Sequence, residues 1–238
     1  MTTAARKSRY LAAMGIHRYV ARGADVTVVD AGTSAVDTDT ANATVETTAA
    51  VDELSALEVT VSGCRKCSLC ETRRQTVFGV GNPAADCMLV GEAPGAEEDR
   101  QGKPFVGRAG QLLDAMLFAV GMNRDEVYIA NVLKCRPPQN RDPQGEEVVR
   151  CEPYLHRQVD LVAPRLIVAM GRFAAQSLLR TTEAISRLRG REFTYRDTGI
   201  PLIVTYHPAY LLRNPADKSK AWDDLLLMQK KLAEAESA

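Results

Sequence analysis

The chain of 238 residues has no apolar run near the roughly 18 residues of a membrane-crossing helix, so no transmembrane span is expected. Its opening Met1-Thr2-Thr3-Ala4-Ala5-Arg6-Lys7 is not followed by an uninterrupted apolar segment, which argues against a secretory signal peptide. Net charge is absent too, with 30 Lys and Arg against 30 Asp and Glu, so bulk electrostatics commits the chain to no polyanionic partner. No internal repeat is present, which sets aside repeat architectures. Histidine is scarce, only His17, His156 and His207. Cysteine is limited to six residues, two of them three apart, a pattern of cytoplasmic metal ligation rather than secreted disulfides.

The charge is unevenly spread. Residues 1–60 hold five Lys and Arg against eight Asp and Glu, so the remaining chain carries a surplus of three basic residues. That weak bias permits nucleic acid binding without demonstrating it. Residues 6–15 carry Tyr10, Leu11 and Met14 at helical spacing and predict a short helix. Residues 31–50 are nearly all Ala, Thr, Gly, Asp, Ser and Val, without an aromatic, and predict a flexible linker. Residues 1–50 thus form an expected extension, and the compact domain is expected over 51–238.

Within that domain short apolar runs alternate with amphipathic stretches. Cys87–Val90, Val127–Val132, Leu166–Met170 and Leu202–Tyr206 suit buried parallel strands. Residues 108–120, 145–162, 171–180 and 217–233 suit helices. The expected fold is α/β, a three-layer α/β/α sandwich around a four-stranded parallel sheet. In such sheets ligands bind beyond the carboxyl ends of the strands. Three segments converge there: the turn after the first run, Asn131 at the end of the second, and His207 just past the fourth.

Each segment has a structural and a functional reading. Gly91-Glu92-Ala93-Pro94-Gly95 is a strand-to-helix turn, or a place where bare backbone approaches a ligand. It lacks the Lys-Ser/Thr of a phosphate-binding loop, which disfavours a nucleotide hydrolase. Glu97, Glu98 and Asp99 are acids at a helix start, or one of them positions a water or stabilises a sugar cation. Phe105 is core, or stacks on a flat ring. Asn131 braces a loop, or reads a uracil-type edge with one donor and one acceptor. His207 is a satisfied structural histidine, or a group of the active edge. Ala209-Tyr210-Leu211-Leu212-Arg213 is a helix start packing its first turn, or an apolar wedge for a duplex with Arg213 near phosphates.

Cys64-x-x-Cys67 looks like half a metal site, extended by Cys70. No fourth cysteine lies close enough to complete a local ferredoxin run, and Cys87 sits inside a predicted buried strand. Cys135 and Cys151 are the remaining candidates. Four such thiolates could hold Zn²⁺ or a [4Fe–4S] cluster, and the spacing does not choose.

From about Gly63 to Arg213 these segments, in this order, resemble the family 4 uracil-DNA glycosylases, the iron–sulfur type of bacteria and archaea. The resemblance is carried by Gly91–Asp99, by Gly102-Lys103-Pro104-Phe105-Val106-Gly107-Arg108-Ala109-Gly110, by Asn131–Pro138 and by His207–Arg213, with Cys64, Cys67, Cys135 and Cys151. It implies a uracil-DNA glycosylase-like fold and excision of uracil from DNA. Gly91, Glu92 and Ala93 would contact the base through their backbone, Phe105 would stack on it, and Asn131 would read its edge. Glu98 would position or activate water, and His207 would stabilise charge on the uracil O2. The four cysteines would ligate a structural [4Fe–4S] cluster. Tyr210, Leu211 and Arg213 would meet DNA.

The first ~60 residues have no counterpart in that pattern. A related group traps DNA covalently through a loop histidine. Pro137-Pro138-Gln139-Asn140-Arg141-Asp142-Pro143 has none here, which implies ordinary turnover. The chain is expected to act as a cytoplasmic monomer away from membranes. Two alternatives stay open: a same-fold glycosylase for hypoxanthine or another damaged base, and a non-catalytic iron–sulfur DNA-binding module.

Overall fold

The four apolar runs pair side by side, as their burial requires. A computed structural model describes residues 38–236, with side chains from Ala49 to Ala235. Its strands are β1 (Val80–Gly81), β2 (Cys87–Gly91), β3 (Tyr128–Asn131), β4 (Leu166–Met170), β5 (Glu192–Thr194) and β6 (Pro201–Thr205). They form one sheet in the order β1-β3-β2-β4-β6-β5. The four expected strands are its parallel centre. Two short antiparallel strands, β1 against β3 and β5 against β6, close the edges. The expected four-stranded sheet is therefore extended to six. Two residues in β1, and three mostly exposed ones in β5, leave no hydrophobic signature to read.

The helices are α1 (Thr38–Ser62), α2 (Leu69–Thr72), α3 (Ala96–Gln101), α4 (Arg108–Ala119), α5 (Gly145–Val162), α6 (Arg172–Leu179), α7 (Ile185–Leu188), α8 (Pro208–Arg213) and α9 (Lys218–Glu236). Successive strand residues point to opposite faces, and each face has its own core. Met88, Val90, Ala130, Ile167 and Val204 pack with Leu54 and Val61 of α1 and with Tyr154, Leu155 and Val159 of α5. Cys87, Leu89, Ile129, Val168 and Ile203 pack with Leu113 and Leu117 of α4 and with Leu225 and Met228 of α9. That is the expected three-layer sandwich. Each large side chain buried there contributes about 1.5–3 kcal/mol.

Asp39–Ala238 forms one compact unit. Residues 38–50, expected as part of a flexible linker, are helical. Thr38–Ser62 contains neither Gly nor Pro, and its alanines favour helix without needing an aromatic core. The helix expected over 6–15 lies outside the described residues. No described helix is long and apolar enough to cross a membrane.

Candidate functional site

Parallel pairing puts Gly91 and Asn131 in register at the ends of β2 and β3. Past those ends the chains stay joined, with Val132 N donating to Gly91 O at 2.9 Å and Leu133 N to Glu92 O at 3.0 Å. Asn131 is 2 % exposed. Its amide makes no hydrogen bond to the protein among the described residues, which leaves its donor and acceptor free for a ligand. A Cβ at position 91 would lie 2.4 Å from Asn131 Oδ1 and 2.8 Å from Phe105 Cζ, so only glycine lets these three meet.

Phe105 is buried and takes φ 52°, an uncommon backbone state for a bulky residue. Arg124 holds it there. Its guanidinium donates to Phe105 O at 3.0 Å and to Pro104 O. Sequence reasoning missed Arg124, because an arginine in a surface turn carries no pattern that points 20 residues back. The Phe105 ring lies 5.3 Å from the His207 ring, tilted by 31°.

His207 caps α8, and its Nδ1 accepts the Ala209 amide hydrogen at 3.1 Å. The other nitrogen, Nε2, must then carry the proton in the neutral ring. Burial, followed by the nearby Arg213 charge, pulls the imidazole down to about 4, with Glu98 opposing. The ring is thus a neutral donor at ordinary pH. Gly171, with φ +94°, comes so near that a Cβ would lie 2.9 Å from His207 Cβ. This glycine was also missed as a site residue.

The three acids divide their tasks. Glu97 pairs with Arg100 at the surface. Asp99 is buried and accepts the Arg74 amide hydrogen at 2.9 Å. Glu98 alone reaches across the turn: its Oε1 accepts from Val106 N at 3.0 Å and Gly107 N at 3.1 Å. Glu92 is half-buried. Burial, then nearby Asp142, pushes its carboxyl up to about 7 against the pull of Arg172. Ala93 packs against the α5-side core.

The segment after His207 corrects one expectation. Leu211, expected to meet DNA, is 1 % exposed and belongs to the α4-side core. Pro208–Arg213 is helical, and helical spacing turns Leu211 inward. Tyr210 stacks on Tyr206 at 4.8 Å, and its hydroxyl donates to Asp217 at 2.6 Å. Arg213 is exposed.

On the opposite face of the sheet, Cys64, Cys67, Cys135 and Cys151 line one small cavity with Val61, Lys134 and Tyr154. No disulfide joins these thiols. Burial raises Cys67 and Cys151 and pushes Cys135 up to about 11. Among the described residues no three His, Cys, Asp or Glu side chains form a ready single-ion site. The thiols stand around a space instead. Two N–H groups face the sulfurs: Arg73 Nη1 donates to Cys135 Sγ at 2.9 Å, and Lys134 N to Cys151 Sγ at 3.2 Å. Arg73 also donates to Cys64 O at 2.7 Å. Lys134 is buried, which pulls its ammonium down to about 8 against the neighbouring Cys151 and Cys135. Cys70 lies close enough to act on Cys67 but does not line the cavity. Cys87 is buried in β2, away from this site, as expected. Arg73 and Lys134 were not anticipated. A lysine in the buried run Asn131–Cys135 was the available signal.

Residues 78–226 match the family model of the uracil DNA glycosylase superfamily. The chain is 48% identical to the type-4 uracil-DNA glycosylase of Archaeoglobus fulgidus over 161 residues, 65% of this chain and 81% of the relative. It is 43% identical to that of Sulfurisphaera tokodaii over 172 residues, 69% and 78%. The Thermotoga maritima counterpart is 42% identical over 159 residues, 66% and 82%.

Proposed function

The chain belongs to the uracil DNA glycosylase superfamily, among its type-4 members, and from that premise we propose that it excises uracil from DNA by hydrolysing the N-glycosidic bond. The observation that carries the reading is Asn131, whose side-chain amide has no protein partner among the described residues, beside Phe105 and beside Gly91, where a side chain would block it. A flipped uracil needs an acceptor for its N3–H and a donor for its O4, and one amide provides both. Cytosine presents the opposite pattern, which an amide held with Oδ1 toward Gly91 leaves unpaired.

Chemistry follows from charge. As the bond breaks, the sugar gains positive charge and the uracil negative charge. His207 Nε2–H, neutral and fixed by the Ala209 amide, donates to O2 as that charge grows. Glu98, tethered by two backbone N–H groups, holds the attacking water and faces the sugar cation. Water oxygen joins C1′, the base leaves with the bonding pair and takes up the proton that the water releases, and an abasic site remains. Phe105 stacks on the base, which has left the duplex at a cost of a few kcal/mol. Backbone at Gly91, Glu92 and Ala93 borders the ring, and Arg213 meets phosphate beside Tyr210. Loop 137–143, without histidine, is pinned by Arg141 on Glu147 and Arg172 on Asp142, in keeping with release rather than covalent capture.

The four thiols suit a [4Fe–4S] cluster. The donor set is soft, it surrounds a space rather than a point, and N–H donors face two of its sulfurs. Bound there, the cluster would cross-link the chain without entering the reaction. The reading includes a monomer in the reducing cytoplasm, where thiols persist.

The test is a labelled oligonucleotide bearing one uracil, incubated and heated in alkali. We expect cleavage at the uracil by the wild type, a loss of 100-fold or more in Asn131→Ala and His207→Ala, and weakened discrimination against cytosine in the former. No cleavage by an iron-loaded wild type would refute the reading and turn attention to another base or to binding alone.

A further inference from the structure

The base pocket and the thiol cavity lie on opposite faces of the sheet, yet one side chain links the thiol cavity to the backbone of Asn131. Lys134 is 1 % exposed. Its Nζ donates to Asn131 O at 2.7 Å, and its own backbone N donates to Cys151 Sγ. It also lines the thiol cavity. A buried ammonium is costly without a counter-charge. Among the described residues no carboxylate pairs with it, and the ionisable groups acting on it are Cys151 and Cys135. An ammonium has three donors. Asn131 O takes one, and no second hydrogen bond from Nζ forms among the described residues.

We propose that Lys134 is a positioning residue that couples the thiolate centre to base recognition. Four thiolates around a [4Fe–4S]²⁺ core leave the centre with two negative charges, and Lys134 is the fully buried cation beside them, with the partly exposed Arg73 guanidinium on Cys135 as a second. The loaded centre holds the ammonium in place. The ammonium holds the Asn131 carbonyl, and with it the strand end from which the Asn131 amide projects. Removing the centre leaves the ammonium uncompensated and frees that strand end. This rests on the reading of Asn131 as the uracil-reading residue.

The test compares wild type with Lys134→Met and Lys134→Arg, all cluster-loaded, by two measurements other than turnover. One is the midpoint potential of the cluster. The other is the affinity for free uracil by calorimetry, normalised to iron content. Loss of a neighbouring positive charge disfavours the reduced cluster, so Lys134→Met shifts the potential to a more negative value and weakens uracil binding about tenfold. Lys134→Arg keeps the charge and restores the potential. A packing role would not make the potential follow charge in this way. Wild-type potential and uracil affinity in Lys134→Met would overturn the proposal while leaving uracil excision by the wild type intact. A wild type that neither excises nor binds uracil would sink both readings. Should Lys134→Met fail to fold, hydrogen exchange on the wild type decides. Removing the cluster should raise exchange over 131–134 and spare β4, whereas unchanged exchange over 131–134 refutes the coupling.

Discussion

His207 shows how a single proton is assigned by its neighbours. The Ala209 amide can only donate, so Nδ1 accepts and Nε2 keeps the hydrogen. Burial then stops the ring from taking a second proton until about pH 4. At pH 6, nitrogen-resolved NMR of the imidazoles should show His207 neutral and Nε2-protonated. A charged ring at that pH would remove the neutral-donor role. The same shift has a consequence for stability. The unfolded chain takes the proton near the ordinary 6.5 and the folded chain near 4, so between those values the unfolded state binds more protons. Stability attributable to this group is present above about 6.5 and is lost as pH falls toward 4. Unfolding midpoints of wild type should therefore fall relative to His207→Gln across that window.

Elements decide which side chains can reach a ligand, and α8 is where sequence reading and structure part. A loop would have exposed both Leu211 and Arg213; a helix separates them. Leu211→Ala should cost about 2–5 kcal/mol in denaturant unfolding, as buried leucines do. DNA affinity of the folded fraction should stay within about twofold. Arg213→Ala should do the reverse, leaving stability within about 0.5 kcal/mol and reducing the salt dependence of DNA binding by about one phosphate contact. A Leu211→Ala protein of normal stability and poor DNA binding would restore the wedge. The other elements were more legible. Each parallel strand is a run of consecutive apolar residues bounded by turn residues, and burial on both faces demands that signature. Asn131 and His207 stood out because a polar group at the end of such a run needs a reason, whereas Glu98 was separated from its acidic neighbours only by the family resemblance. What escaped was contact that spacing does not encode: Arg124 on Phe105, Gly171 on His207, Arg73 on Cys135. The Ala- and Thr-rich start of α1 escaped because its composition serves helix and linker equally.

At the scale of the whole molecule, the four cysteines come from different parts of the chain. Cys64 and Cys67 lie between α1 and α2, Cys135 follows β3, and Cys151 sits on α5. A group bound by all four would tie Cys64 and Cys67 to Cys135 and Cys151 across loops of about 70 to 90 residues, besides a shorter one between Cys135 and Cys151, and closing long loops restricts the unfolded chain most. The segment between α1 and α2 gains most from the tie. Its Arg65 and Lys66 are exposed, and its apolar anchors are few, chiefly Val61 and Leu69. The sheet, with a core on both faces, depends less on the tie. Chelating the iron of a cluster held there should therefore release this segment before the sheet unfolds. Trypsin should cut at Arg65 and Lys66 at least tenfold faster in the stripped protein than in the loaded one, with the fragment spanning β2 to β6 surviving by mass spectrometry. Equal cutting rates would mean that the thiol centre does not brace the fold. Simultaneous loss of the central fragment would mean that it braces the sheet as well, so the order of cleavage locates where the centre's stabilisation is spent.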